Sequence, residues 1–138
     1  MACSGQVYGL NGSVMMLSKK HESIFLSQDL IRIIPRHDLI RPGYLCVALG
    51  HPKLGRPLVV RYAYGTSIPH IDPADVGTFL VVRIGESLEN QIADFMEEAV
   101  KLRAEADDLD EKLVADAEAL IDRFIAGDMS DVAMVGKP

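Results

Sequence analysis

Residues 87–126 run for forty positions without a glycine or a proline. No other feature restricts this chain as strongly, because the run lacks both of the residues that most often end a helix. Its apolar residues fall at Leu88, Ile92, Phe95, Ala99, Leu102, Ala106, Leu109, Leu113, Ala117, Leu120 and Phe124. The spacing alternates between four and three, with one repeated four at Leu113 to Ala117. That is the seam of a coiled coil. The pattern predicts one long helix over residues 87–127, with Ser87 as N-cap and Gly127 just past its end. Forty helical residues extend about 60 Å. A domain built from the preceding residues 1–86 would have a radius of gyration of about 12 Å. Much of the helix is therefore expected to project beyond that domain and to lay its stripe on another helix. Ile92, Phe95, Ala99, Leu102, Leu109, Leu113, Leu120 and Phe124 are the expected interface residues. Residues 128–138 are expected to form a flexible tail.

Charge divides the chain at the same place. Residues 1–86 carry nine Lys/Arg against six Asp/Glu and all four histidines, whereas residues 87–138 carry five Lys/Arg against fourteen Asp/Glu. A mildly basic first part suits a polyanion; a strongly acidic second part would repel one and suits protein. No apolar run approaches the length of a membrane helix. No basic segment followed by an apolar stretch opens the chain, so no secretory signal is expected. Two cysteines, Cys3 and Cys46, exclude a disulfide scaffold and offer no Cys-x-x-Cys motif. A cytoplasmic, reduced protein is the expectation.

Within residues 1–86 the local signals read mostly as strand. Residues 4–13 hold three glycines around a short strand, with an Asn11-Gly12 turn. Residues 14–17, 23–26, 30–34 and 78–84 are apolar or β-branched runs and are expected strands. Residues 44–49, after Pro42-Gly43, fit either a short helix or a buried strand. Residues 50–57 are a loop or the broken start of another short helix. Asp72-Pro73 reads as the N-cap and first residue of a one-turn helix. The expected fold class is α+β: a small mixed-sheet domain followed by one long projecting helix of coiled-coil type.

The chemistry-bearing residues do not assemble into an enzyme. His21-Glu22 opens like a zinc-protease motif, but position 25 is Phe25 where a second histidine is needed. The glycines at 5, 9 and 12 match neither a phosphate loop nor a dinucleotide fingerprint. The four histidines lack partners at ligand spacing, so no metal and no cofactor is expected. The carboxylates concentrate on the long helix, where a solvated coiled-coil surface accounts for them. Nucleic-acid binding fits the first part better. Arginine reads guanine and Asn or Gln reads adenine, while Lys and Ser/Thr position phosphates.

Four blocks occur in a characteristic order: Phe25-Leu-Ser-Gln-Asp-Leu-Ile-Arg-Ile-Ile-Pro35, Ile40-Arg-Pro-Gly-Tyr-Leu45, Tyr64-Gly-Thr-Ser-Ile-Pro-His-Ile-Asp-Pro73, then a Val/Ile run and Asn90-Gln-Ile-Ala-Asp-Phe95 opening an acidic helix. Their order and spacing, together with Ser4-Gly-Gln-Val-Tyr-Gly-Leu-Asn-Gly-Ser13, resemble the specificity subunit of type I restriction–modification systems over residues 3–126. The resemblance implies a target recognition domain over residues 1–86 that reads half of a split sequence in double-stranded DNA. It implies a spacer helix that docks a methyltransferase (modification) subunit, and no catalytic activity of the chain itself. The family's full recognition domain is larger. The chain is therefore expected to correspond to the second half of one, as a truncated, split or half-size subunit. A second copy or a separate chain would supply the missing half-domain and the partner helix. The expected DNA-binding residues are Gln6, Tyr8, Asn11, Ser13, Lys19, Lys20, Gly65, Thr66, Ser67 and His70, chosen by loop character and charge. The competing expectation is a coiled-coil assembly or competitor protein that binds a methyltransferase subunit, or dimerises, without reading DNA.

Overall fold

The computed structural model describes residues 1–128 and Ser130, and the expected tail over 128–138 otherwise lies outside the described residues. A 3-10 turn, Lys19–His21, is followed by four α-helices: α1 (Pro42–Gly50), α2 (Gly55–Val60), α3 (Pro73–Val76) and α4 (Glu86–Ile125). The chain divides into two compact units, the first Met1–Lys101 and the second from Leu102 onward.

The expected mixed sheet is absent among the described residues. Strand-like geometry is confined to isolated antiparallel bridges, Ala2 with Leu30, Ser4 with His70 and Tyr64 with His70. The first four residues explain this. Ala2 exchanges bonds with the 12–13 segment (Ala2 N to Ser13 O 2.8 Å, Gly12 N to Ala2 O 2.9 Å). Cys3 N donates to Asp29 O and Ile31 N to Met1 O, while Ile71 N donates to Cys3 O. One short segment is thus shared among three neighbours, and none gains consecutive rungs. Residues 14–17, 23–26, 30–34 and 78–84 form no ladder: Ser23 and Thr78 lie in turns, and Leu30 makes only its isolated bridge to Ala2. Their β-branched side chains favour a pleated, half-buried surface, and no adjoining run supplies one.

The helices follow from local chemistry. Pro42 takes the first position of α1, where its missing N–H is not needed, and Arg41 before it is extended. Pro52 ends α1 in the same way by forcing His51 out of helical geometry (ψ 124°). The His51 imidazole Nδ1 then accepts from Lys53 N and Leu54 N, and α2 begins at Gly55. A side chain at Gly55 would place Cβ 1.7 Å from the Ala48 carbonyl oxygen, so α1 and α2 cross in backbone contact. Asp72 caps α3 by accepting from Ala74 N at 2.8 Å.

Helix α4 begins at Glu86, one residue before the expected cap, so Ser87 lies inside the first turn. Gly85, at φ 101°, makes the reversal into it. The other end matches expectation. Gly127 adopts φ 89°, its N–H donates to Phe124 O, and Asp128 N donates to Arg123 O, which is a Schellman closure. Early α4 packs within the first unit. Ala93 is fully buried against Gly43, where a Cβ would lie 2.6 Å from the Ala93 oxygen. Arg41 bridges Asp94 (2.7 Å) and Glu97 (2.6 Å). The Tyr44 hydroxyl donates to Val82 O at 2.5 Å, and burial raises its pKa, so it stays a donor.

The buried apolar set is small: Cys3, Tyr44, Leu49, Val59, Ile71 and Ala93. Large apolar side chains remain on the surface, Phe25 and Tyr8 completely so. An open trough of about 800 Å³, lined among others by Val14, Met16, Leu26, Ile31, Ile33 and Leu45, follows the unladdered segments. Cys3 and Cys46 are both free thiols. No helix among the described residues is long and apolar enough to cross a membrane.

Candidate functional site

Two glycine-bearing loops far apart in sequence come together in the first unit. The first loop, residues 5–13, turns at Gly5 (φ 114°) and Gly12 (φ 75°). Gly12 also lacks room for a side chain, since Cβ would lie 3.0 Å from the Val60 Cγ1 atom. Inside the loop, Gly9 N donates to Gln6 O and Ser13 N to Leu10 O, both at 2.8 Å. The second loop, residues 65–69, is closed by Tyr64 and His70, which exchange two backbone bonds of 2.8 Å. Gly65, at φ 101°, makes its turn.

Asn11 joins the two. It is fully buried, and its amide Nδ2 donates to Gly5 O (3.2 Å) and to Pro69 O (2.7 Å). Its Oδ1 has no hydrogen-bond partner. On the outer side, Gln6 Nε2 donates to Ser67 O at 3.4 Å. The backbone bridge between Ser4 and His70 continues the contact.

The expected DNA-binding residues therefore sort into three groups. Gln6, Tyr8, Gly65, Thr66, Ser67 and His70 are exposed on the joined loops. Asn11 and Ser13 belong to the framework: Asn11 ties the loops, and the half-buried Ser13 accepts from Arg56 through its Oγ (3.0 Å). Lys19 and Lys20 stand apart on the 3-10 turn, whose backbone bonds are all local. Within that turn the His21 Nδ1 lies 2.9 Å from Ser18 Oγ.

Arg56 had no assigned role in the sequence, beyond counting as a cation. It is the clamp of the first loop, reaching Val7 O and Gly9 O as well as Ser13. Several other cations of the basic part are engaged too. Arg41 holds α4, Arg36 pairs with Asp38, and Arg61 contacts the Tyr62 hydroxyl and ring. Arg83 forms a two-pronged pair with the nearly buried Glu89, whose carboxylate also accepts Ile84 N at 2.9 Å. The Arg83 hydrogen bonds, opposed by desolvation and aided by Ile84, hold the Glu89 carboxyl below its ordinary pKa. Lys19, Arg32 and Lys53 have no side-chain partner among the described residues. The net positive charge counted in residues 1–86 is thus largely internal structure.

The expected helix-interface residues divide as well. Ile92 and Ala99 are half-buried, whereas Phe95 is 76% exposed. Leu102, Leu109, Leu113, Leu120 and Phe124 are each more than half exposed along α4. Among the described residues, no three His, Cys, Asp or Glu side chains cluster as a metal site. Compared with protein-family models, curated proteins and solved structures, the chain matches none.

Proposed function

We propose that this chain is a non-catalytic, sequence-reading DNA module of a type I restriction–modification complex that works in the cytoplasm. What carries this reading is the joining, through buried Asn11, of two loops on which Gln6, Tyr8, Thr66, Ser67 and His70 are exposed. Gln is the bidentate partner of adenine, and Ser, Thr and His donate and accept at base edges and phosphates. A surface held by backbone turns and one buried amide orders such groups before binding, which lowers the entropic cost of recognition.

Few unengaged cations support this module. If Lys19, Arg32 and Lys53 neutralise three phosphates, log K falls with log salt at a slope of about −2.7. That is weak for a complete DNA-binding protein. It fits a module that relies on a further chain for part of its contacts. The small core and the open apolar trough point the same way. The proposed partners are double-stranded DNA, a methyltransferase subunit and a second copy or separate chain beside this one.

A duplex-binding titration by fluorescence anisotropy at several salt concentrations tests the proposal. Lys19→Ala is expected to weaken all duplexes alike and to reduce the salt slope by about one. Joint replacement of Thr66, Ser67 and His70 by alanine is expected to change which duplex is preferred. Unaltered preference would remove that loop as a reader. The exposed α4 seam favours the second reading, an assembly protein without DNA affinity, and absence of duplex binding at low salt would select it.

A further inference from the structure

The chain has four tyrosines, and one of them stands apart. The Tyr44 hydroxyl donates to Val82 O, and the Tyr62 ring packs on Phe79 with centroids 5.0 Å apart. Tyr64 is 57% exposed at the closing pair of its loop. Tyr8 is 102% exposed, so no protein atom covers its ring, and its hydroxyl has no hydrogen-bond partner among the described residues.

The backbone beneath this bare ring is nonetheless fixed. Gly9 N donates to Gln6 O at 2.8 Å, which closes a turn over residues 6–9 with Tyr8 at its third position. The carbonyls on both sides of Tyr8, those of Val7 and Gly9, accept from the same Arg56 Nη2 at 3.3 and 2.5 Å. Burial explains neither the ring's position nor the clamp's placement around it. A braced turn that presents an uncovered aromatic is ordered before anything binds, which lowers the entropic cost of a contact made by that ring.

The chemistry of the segment points to a nucleobase as the contact. Every base has a π-face that stacks on an aromatic ring, and apolar side chains inserted between base pairs unstack a step. Leu10, 72% exposed, lies two residues further along the same loop. Residues 1–21 contain no Asp or Glu, and the group that clamps the turn is a guanidinium. The segment carrying the ring can thus approach phosphates without repulsion from a carboxylate of its own. We propose that Tyr8 inserts between neighbouring base pairs of the duplex and stacks on a base, with Leu10 beside it. The inference deepens the DNA reading and rests on it. Stacking tolerates any base, so Tyr8 contributes affinity and local opening of the duplex, while the edge-reading groups contribute preference. A methyltransferase must take its target base out of the stack, and a step already opened makes that easier.

Duplexes retained by the full chain from a randomised pool at low salt serve as the probe, with binding read by fluorescence anisotropy. Tyr8→Ala is expected to weaken binding about tenfold or more, the order that stacking on one base carries. Its salt slope is expected to match wild type, because no phosphate contact is lost. Tyr8→Phe is expected to bind within about threefold of wild type, since the ring carries the contact. Phe25→Ala, which removes an equally exposed ring outside both loops, is expected to bind as wild type. The chain has no tryptophan, so Tyr8→Trp provides a single reporter. Its emission is expected to be quenched on saturation with duplex, and that of Phe25→Trp is not. The uncovered ring leaves thermal unfolding unchanged in each Tyr8 variant. Wild-type affinity of Tyr8→Ala, or unquenched emission from duplex-bound Tyr8→Trp, overturns insertion and leaves the DNA reading in place. Equal losses in Tyr8→Ala and Tyr8→Phe overturn it too, because the hydroxyl would then be the contact. A pool from which nothing is retained overturns the DNA reading and this inference with it.

Discussion

Gly55 joins the fold to the candidate site, and its replacement by alanine has a calculable consequence. The new Cβ would lie 1.7 Å from the Ala48 oxygen and 2.7 Å from the Leu49 oxygen. An ordinary contact begins near about 3.5 Å, so α1 and α2 must part by roughly 1.5 Å or more. Both contacts are backbone, and no rotamer change relieves them. Opening this crossing loosens Leu49 and Val59, which are 4% and 0% exposed. Overpacking of a tight core costs about 1–3 kcal/mol, and a rigid backbone clash belongs at the upper end. About 3 kcal/mol corresponds to a fall in Tm of roughly 12 °C or more for a unit of this size. The damage extends to the site. Arg56 is the next residue, and its grip on Val7, Gly9 and Ser13 moves with α2. Thermal unfolding followed by circular dichroism reads the first effect, and proteolysis within residues 5–13 reads the second. An unchanged Tm together with unchanged loop cleavage would refute the close crossing and the coupling drawn from it.

Other expectations are smaller or more local. Asp72→Ala removes the bond to Ala74 N and should destabilise the α3 turn by about 1 kcal/mol, read as faster amide exchange at Ala74 and Asp75. Glu89 has its folded pKa below the ordinary value, so its stabilisation is complete above the unfolded value, near 4.5, and is lost as the pH falls through the folded one. Wild type and Glu89→Gln should accordingly differ in Tm at neutral pH and converge in acid; a constant difference would contradict the Arg83–Glu89 account. Leu102→Asp with Leu109→Asp should abolish self-association while leaving the first unit's Tm unchanged, and a dimer persisting in this variant would show the seam is not its interface. Asn11→Ala should free the 65–69 loop from the 5–13 loop, seen as increased exchange at His70.

What was legible in the sequence was what depends on near neighbours. The seam of α4 follows from a spacing that repeats for forty residues. The Schellman end at Gly127, the Pro42 start of α1 and the Asp72 cap each need only a few adjacent residues. The sheet failed because strand character in residues 14–17, 30–34 and 78–84 states what a run prefers and not whether a neighbour exists to pair with it. Here the 1–4 segment divides its hydrogen bonds among three partners. The loops of the candidate site were recognisable by their glycines and polar residues. Their meeting was not, because it depends on Asn11 reaching Pro69, 58 residues away. Arg56, Arg41 and Arg83 read as surface charge for the same reason: their partners Gly9, Glu97 and Glu89 are fixed by tertiary packing. Counting cations in residues 1–86 therefore overstated the charge available to a polyanion.

The most direct test of sequence-reading by the paired loops is selection from a randomised duplex pool by the purified chain at low salt, followed by sequencing of the retained fraction. Enrichment of a short motif that changes when Thr66, Ser67 and His70 are replaced is the predicted result. Retention without any motif, or no retention at all, would contradict it.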